Sequence, residues 1–413
     1  MYASSPIIRS LLDLDYYKLT MAQIAWKYFR EIPVTYAFKN RTTGVRLSER
    51  IPLDELMVEV DYARNLKFAK EEISYLRESK YIKAGFFSED FLGFLENLRL
   101  PAPQIIISDG NYQIKVKGSW PETILWETLI LSIMNELYYR HLIGDHAAMN
   151  DALQEGLSRL NAKIAAIKNH SSLPLLITDF GTRRRFSQEW QEEVVKKMTN
   201  ELPSQFLGTS NVWLAKKYDL RPIGTFAHEM YMVFSGIYHG NDEEIKSSHN
   251  KVLQLWWQEY GESLSTALTD TYGTDFFFRD FTAEQANLWR GFRHDSGDPI
   301  EFGEKTIVFY QNHGIDPKTK VIVFSDGLDL PTIFRLNEHF SGRIKVMFGW
   351  GTNLTNDCGY PALSLVIKIV ESCGYGSVKL SDNLAKAIGK PEDIERFKRI
   401  FGHTVTTNEP CKY

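Results

Sequence analysis

Cysteine is scarce: Cys358, Cys373 and Cys411 are the only three in 413 residues, and no two form a CxxC pair. An odd, unpaired set points to a reducing compartment and argues against a zinc ribbon. No GxxxxGK[ST] loop occurs, so any ATP is held without a P-loop. The absence of HxH and HExxH pairs weakens a zinc hydrolase reading. Net charge is also small, 48 basic residues against 52 acidic, with no strong basic run, which disfavours nucleic acid and anionic membrane as partners. A small anionic substrate stays open, because a local cluster can be basic while the whole is not. The chain does not open on a basic segment followed by an apolar one, so no signal peptide is expected. Its longest apolar stretch, 124–142, is interrupted by Glu127, Asn135, Glu136 and Arg140 and reads as a core helix. A cytoplasmic protein is the expectation.

What is present is a large apolar fraction, 43%, with 13% aromatics, enough for a substantial core without disulfides. The length suggests more than one domain, yet no low-complexity tract or long linker marks a boundary. Residues 111–118 (NYQIKVKG) alternate as a strand, a helix follows from Pro121, and 150–170 has the spacing of a connecting helix. From 173 onward short apolar runs end in glycine and polar residues: 173–182, 205–211, 221–229, 265–274, 291–298, 320–327 and 345–353. The run 361–370 offers an eighth strand. Helices fit between them, one N-capped by Ser187, others opening at Pro299 and Pro331, and one from near Pro391 ended by Gly402. Repeated strand–helix alternation implies parallel strands, and seven or eight units fit a (β/α) barrel, regular or irregular, with an open doubly wound sheet as the alternative.

The run ends share a chemistry. Five Gly-Thr pairs occur, at 181–182, 208–209, 224–225, 273–274 and 351–352. Glycine lets a ligand approach the backbone and threonine adds a hydroxyl, both suited to phosphate or carboxylate oxygens. Any single pair is ordinary turn chemistry; five at matching positions predict a shared ligand site. His228 follows one of them, and Glu229 beside it is a candidate to fix the ring tautomer and leave the other nitrogen as nucleophile or base. The densest cluster is RHDSGDP (293–299). Arg293 offers a fork for a carboxylate or phosphate, Asp295 a seat for hydrated Mg²⁺ or a counter-charge, and Asp298 a helix cap. His294 reads as structural. Asp179, Asp270 and Asp326 end three other runs and need cations nearby, which Arg183 and Mg²⁺ can supply.

These residues together resemble the nicotinate phosphoribosyltransferase family. The likeness runs through SLLDLDYYKLTM (10–21), DFGTRRRFS (179–187), FLGTSN (206–211), PIGTFAHE (222–229) and ALTDTYGTD (267–275). It continues through RHDSGDP (293–299), FSDGLD (324–329), FGWGTNLTND (348–357), VIKIVE (366–371) and VKLSDN (378–383). It implies an α/β fold: an irregular (β/α) barrel over 143–370, packed on an N-terminal α/β sandwich over 1–142 that segment 371–413 joins. It implies that nicotinate attacks 5-phosphoribosyl 1-diphosphate, releasing Mg-diphosphate, with ATP hydrolysis coupled through a phosphohistidine.

Carried over by position, the resemblance makes His228 the phosphorylated residue. Tyr17 and Phe180 become the aromatic pair around the pyridine ring, Tyr17 reaching in from the partner subunit of a homodimer. Arg293 and Thr225 become nicotinate contacts, and Arg183 lies near base and ribose. Asp270 and Asp295 lie near ribose and Mg²⁺, and Asp326, Gly349, Gly351 and Thr352 at the phosphate end. Ser210 stands where nicotinamide-using relatives carry Asp, which favours the acid as substrate. Trp350, where a smaller residue is more usual, threatens to narrow the phosphate loop. A nicotinamide or quinolinate phosphoribosyltransferase, or a metal-dependent barrel hydrolase, are the alternatives.

Overall fold

The computed structural model describes residues 5–170 and 175–410; Cys411 and the first two residues of the 173–182 run lie outside them. Five strands form an antiparallel sheet: β1 (Pro33–Asn40), β2 (Gln104–Ser108), β3 (Asn111–Ser119), β10 (Leu365–Ser372) and β11 (Tyr375–Gly376), in the order β11-β10-β1-β3-β2. Six form a parallel sheet: β4 (Ile177–Asp179), β5 (Phe206–Thr209), β6 (Thr266–Leu268), β7 (Gly291–His294), β8 (Val321–Phe324) and β9 (Lys345–Trp350), in the order β5-β4-β9-β8-β7-β6. The mixed α/β class expected from the alternation is therefore found. No helix among the described residues is long and apolar enough to cross a membrane.

Two of the expected barrel strands are placed differently. Run 361–370 forms β10, which pairs antiparallel with β1 from Val34↔Ser372 to Asn40↔Leu365. Lys368 and Val370 on it are half-buried while Ile367 and Ile369 are buried. One open face suits an antiparallel sheet, whereas parallel sheets are covered on both. Run 221–229 forms no strand: Pro222 makes a lone parallel bridge to Thr209, and the chain then enters the helix His228–Ile237. Pro222 cannot donate to a ladder and Gly224 has no side chain to pack, so the segment stays irregular.

The helices end where their capping residues stand. Ser187 Oγ accepts from Trp190 N, Asp298 caps Pro299–Asn312, and Asp329 caps Leu330–Phe340. Gly402, at φ +60°, closes Pro391–Phe401 in the left-handed region open to glycine. The connecting helix is longer than the spacing suggests, His146–Asn169, because Asp145 caps it at Ala148 N.

Helix Trp126–Ile143 is buried nearly all round, packed against β10 and the turn Thr182–Arg184. The charges that interrupt its apolar run have become ion pairs. Glu127 meets Lys18 and Lys368, each at 2.6 Å, and Arg183 at 3.4 Å. Burial alone would raise its pKa, but the three cations hold Glu127 well below the carboxylate range.

A second buried pair ties the N-terminal segment to the parallel sheet. Arg185 donates from both terminal nitrogens to Asp13, at 2.6 and 2.7 Å, and Asn211 Nδ2 donates to the same carboxylate at 2.7 Å. Arg185 and Asp13 are fully buried. Removing one partner leaves the other charge uncompensated, so Asp13→Asn is expected to cost about 3–5 kcal/mol in denaturant unfolding.

Candidate active site

The C-terminal ends of the parallel strands and the open face of β10 enclose a cavity of about 150 Å³. Seven cationic side chains line it, Arg41, Arg183, Arg184, Arg293, Lys368, Lys379 and Lys386, against the carboxylates of Asp295 and Asp326. That excess of positive charge suits a ligand with several negative groups.

His228 is the first residue of its helix and is almost fully buried. Its Nδ1 lies 2.9 Å from Thr271 Oγ1, and its Nε2 lies 2.9 Å from Lys379 Nζ and 3.0 Å from Asp295 Oδ2. Burial and the Lys379 ammonium lower its pKa to about 4, outweighing the pull of Asp270 and Asp295. The imidazole is therefore neutral at physiological pH. With Nδ1–H donated to Thr271, the Nε2 lone pair accepts from Lys379 on the cavity side. Glu229 does not orient the ring, contrary to the expectation from its adjacency. It faces away and accepts from Lys18 at 2.6 Å, Tyr36 Oη at 2.8 Å and Trp120 Nε1 at 2.7 Å. Consecutive helical residues point about 100° apart, and the two carboxylates that reach His228 come from the loops after β6 and β7.

Asp270 is buried behind the cavity wall. Its Oδ2 accepts from Ser296 Oγ at 2.6 Å and lies 3.4 Å from Lys379, and its Oδ1 is 3.8 Å from His228 Nε2. Asp295 faces the cavity and is shared between His228 and Arg293, the latter at 3.4 Å. Burial opposes ionisation of both carboxyls. Lys379 nonetheless holds Asp270 low, and Arg293 holds Asp295 well below the usual range.

At the aromatic end, Tyr17 and Phe180 both line the cavity, each with a guanidinium over its ring: Arg183 5.6 Å from the Tyr17 centroid and Arg293 6.0 Å from that of Phe180. Within the single chain, its own Tyr17 lines the cavity. The reason is local: Tyr16 N donates to Ser210 O at 2.7 Å and Asp15 bridges Asn211, so the start of helix Tyr16–Tyr28 is fastened to the end of β5. Gly349 does not line the cavity. A Cβ there would lie 2.3 Å from the Phe180 ring, so the glycine seats that ring.

Asp326, Gly351, Thr352 and Asn353 also line the cavity, with Lys386 bonded to Asp326 and, at 2.8 Å, to Asp295 O. Trp350 does not crowd this loop. Its side chain is fully buried on the far side, 5.3 Å beneath Lys163 Nζ. The same lysine bonds Asn353 O from behind.

Most of the Gly-Thr ring proves structural. Thr182 Oγ1 accepts from Gln191 at 3.0 Å, Thr209 Oγ1 donates to Asp179 at 2.7 Å, and Thr274 Oγ1 bonds Thr269 at 3.1 Å. Only Gly181, Gly351 and Thr352 of the five pairs line the cavity. Thr225 and Ser210 are not in its wall. Ser210 Oγ donates instead to Asp15 at 2.7 Å, and Asp15 pairs with Arg183 at 3.2 Å. His294 is structural, as its surroundings suggested: it is buried, 3.1 Å from Gly297 O. The lysines at 368, 379 and 386 and Arg41 were not singled out in the sequence. A charged residue within the apolar run 361–370 was the one visible signal for Lys368.

Because Lys379 is the second cause of the depressed His228 pKa, Lys379→Met is expected to raise it from about 4 toward the usual value. A histidine NMR titration checks this; an unmoved pKa would assign the depression to burial alone.

With this geometry in place, the comparisons with known proteins are informative. Residues 175–405 match the profile of the Nicotinate phosphoribosyltransferase (NAPRTase) family, and 12–135 that of the NAPRTase N-terminal domain. A nicotinate phosphoribosyltransferase structure from Vibrio cholerae is 35% identical, covers 97% of this chain and 94% of its own, and superposes with a TM-score of 0.88. One from Porphyromonas gingivalis is 32% identical over 96% of this chain and 100% of its own, with a TM-score of 0.86. A putative nicotinate phosphoribosyltransferase from Saccharomyces cerevisiae is 30% identical over 98% and 100%, at 0.84. Two matched domains that between them include both walls of the cavity, and near full-length superposition, place this chain in the nicotinate phosphoribosyltransferase family.

Proposed function

We propose that this enzyme forms nicotinate mononucleotide and diphosphate from nicotinate and 5-phosphoribosyl 1-diphosphate, with ATP hydrolysis coupled through a phosphate on His228. The observation that carries the coupling is the neutral, buried imidazole with Lys379 at its cavity-side nitrogen. In this reading Nε2 attacks the γ-phosphorus of ATP, the N–P bond forms, and ADP leaves with the electrons of the broken P–O bond. Lys379 swings from the lone pair to the transferred phosphoryl oxygens. Water later takes the phosphoryl group from His228.

The pyridine ring of nicotinate lies between Tyr17 and Phe180, and its carboxylate between Arg183 and Arg293. Acid preference then comes from these guanidinia rather than from a direct Ser210 contact, because the Ser210 hydroxyl is occupied by Asp15. The ring nitrogen attacks C1 of the ribose as the C1–O bond to diphosphate breaks, and the Asp295 carboxylate offsets the positive charge developing at that carbon. The remaining cavity cations receive the phosphates.

A ligand atom from each of His228, Asp270 and Asp295 lies within 4.8 Å of the others, and Asp270 Oδ1 is buried with no donor. Lys379 already occupies the His228 side of that cluster, so Asp295, with Asp270 behind it, would be the carboxylates that hold a magnesium ion. Bound there with diphosphate, the ion would neutralise leaving-group charge.

Incubation with γ-labelled ATP is expected to leave an acid-labile, base-stable label on the wild-type chain and none on His228→Ala. That variant retains some ATP-independent transfer; a full ATP-coupled rate in it would overturn the phosphohistidine. Nicotinate is expected to turn over faster than nicotinamide, and the reverse preference would overturn the substrate assignment. Gly349→Ala pushes the Phe180 ring out of place and is expected to raise KM for nicotinate about tenfold or more in steady-state kinetics, with little change in KM for ATP.

A further inference from the structure

A second cleft, of about 470 Å³, lies on the open face of the antiparallel sheet, and its size falls in the ~300–1,000 Å³ range of small-molecule sites. Its floor is made by small or aliphatic residues, Thr35 and Ala37 of β1 and Val366 and Val370 of β10. Its rim is basic: Lys39, Lys115, Lys117 and Lys390 are all exposed, with Glu371 the one carboxylate in the wall. None of the four lysines has an ion-pair partner among the described residues.

The register explains how they converge. Lys115 and Lys117 face the same side of β3, opposite Ala37 and Thr35, so two ammonium groups overhang a shallow floor. Like charges side by side on a sheet are unfavourable. Protection of a sheet edge does not account for them either, since β1 and β3 are interior strands.

The cleft abuts the catalytic cavity. Val366 and Lys368 line both, and the far wall, Ala387 to Lys390, directly follows Lys386 of the catalytic cavity.

We propose that this cleft is a second anion site, taking an oligophosphate on its lysine rim, separate from the catalytic cavity and sharing one wall with it. An inorganic oligophosphate and a nucleoside triphosphate share that chemistry. The aliphatic floor offers a base-sized seat that only the nucleotide would use.

The test is equilibrium dialysis of the full chain against labelled tripolyphosphate and, in parallel, against the β,γ-methylene analogue of ATP, at low salt. Wild type is expected to take up two equivalents, and Lys115→Glu/Lys117→Glu only one, with nicotinate turnover at saturating substrates unchanged because neither lysine touches the catalytic cavity. Two equivalents of both probes mean that phosphates suffice; two of the nucleotide analogue alone mean that the floor seats a base; two of tripolyphosphate alone mean an inorganic ligand. A single equivalent of each probe in wild type, or two retained by the double variant, overturns the proposal.

Discussion

Glu127 is the point on which the rest of the site hangs. One buried carboxylate of the helix Trp126–Ile143 holds Lys18 of the first helix, Lys368 of the antiparallel sheet and Arg183 of the loop after β4. Lys18 passes the chain of charge on to Glu229, which also accepts hydrogen bonds from Tyr36 and Trp120. Burying ions is costly unless each is matched, and here every member meets an opposite charge at close range. The consequence is geometric: Tyr17, Arg183, Lys368 and His228 each adjoin or belong to a member of one network. The aromatic wall, the guanidinium and the imidazole therefore cannot drift apart independently.

The same economy of charge explains the state of His228. A histidine paired with two aspartates in water would be readily protonated. Burial and the ammonium of Lys379 reverse that, leaving a neutral ring with ionised neighbours. Its helix supports this, since His228 occupies the first turn, where the positive end of the backbone dipole also disfavours an imidazolium and favours an incoming anion. Burial, helix position and lysine act in one direction on one nitrogen.

Much of this was legible in the residues. Strand–helix alternation, the capping residues Ser187 and Asp298, the closing Gly402, and the cluster 293–299 all lie where local chemistry puts them, because caps and short buried strands depend on near neighbours. Other features were not. Run 361–370 has the apolar content of a barrel strand, and only its pairing with β1 shows that it belongs to the other sheet. The Gly-Thr pairs looked equivalent in sequence. They are not, because a threonine hydroxyl bonds whatever acceptor the fold brings to it, and for Thr209 that is Asp179 rather than a ligand. Glu229 adjoins His228 in the chain and points elsewhere in space.

From the sequence alone came the family, the class of fold and the identity of the residues able to do chemistry at Tyr17, Phe180, Arg183, His228, Arg293, Asp295, Asp326 and Thr352. The family and the roles of Tyr17, Phe180, Asp326 and Thr352 came from the resemblance of the motifs, and His228, Arg293 and Asp295 also from side-chain type; neither depends on distant contacts. Only the tertiary structure decided which charges confront one another. Lys379 lies 151 residues from His228 in the chain and 2.9 Å from it in space. No periodicity encodes such a meeting. It arises because β10 joins β1 in the antiparallel sheet, and the segment that follows it brings Lys379 and Lys386 back to the wall of the cavity.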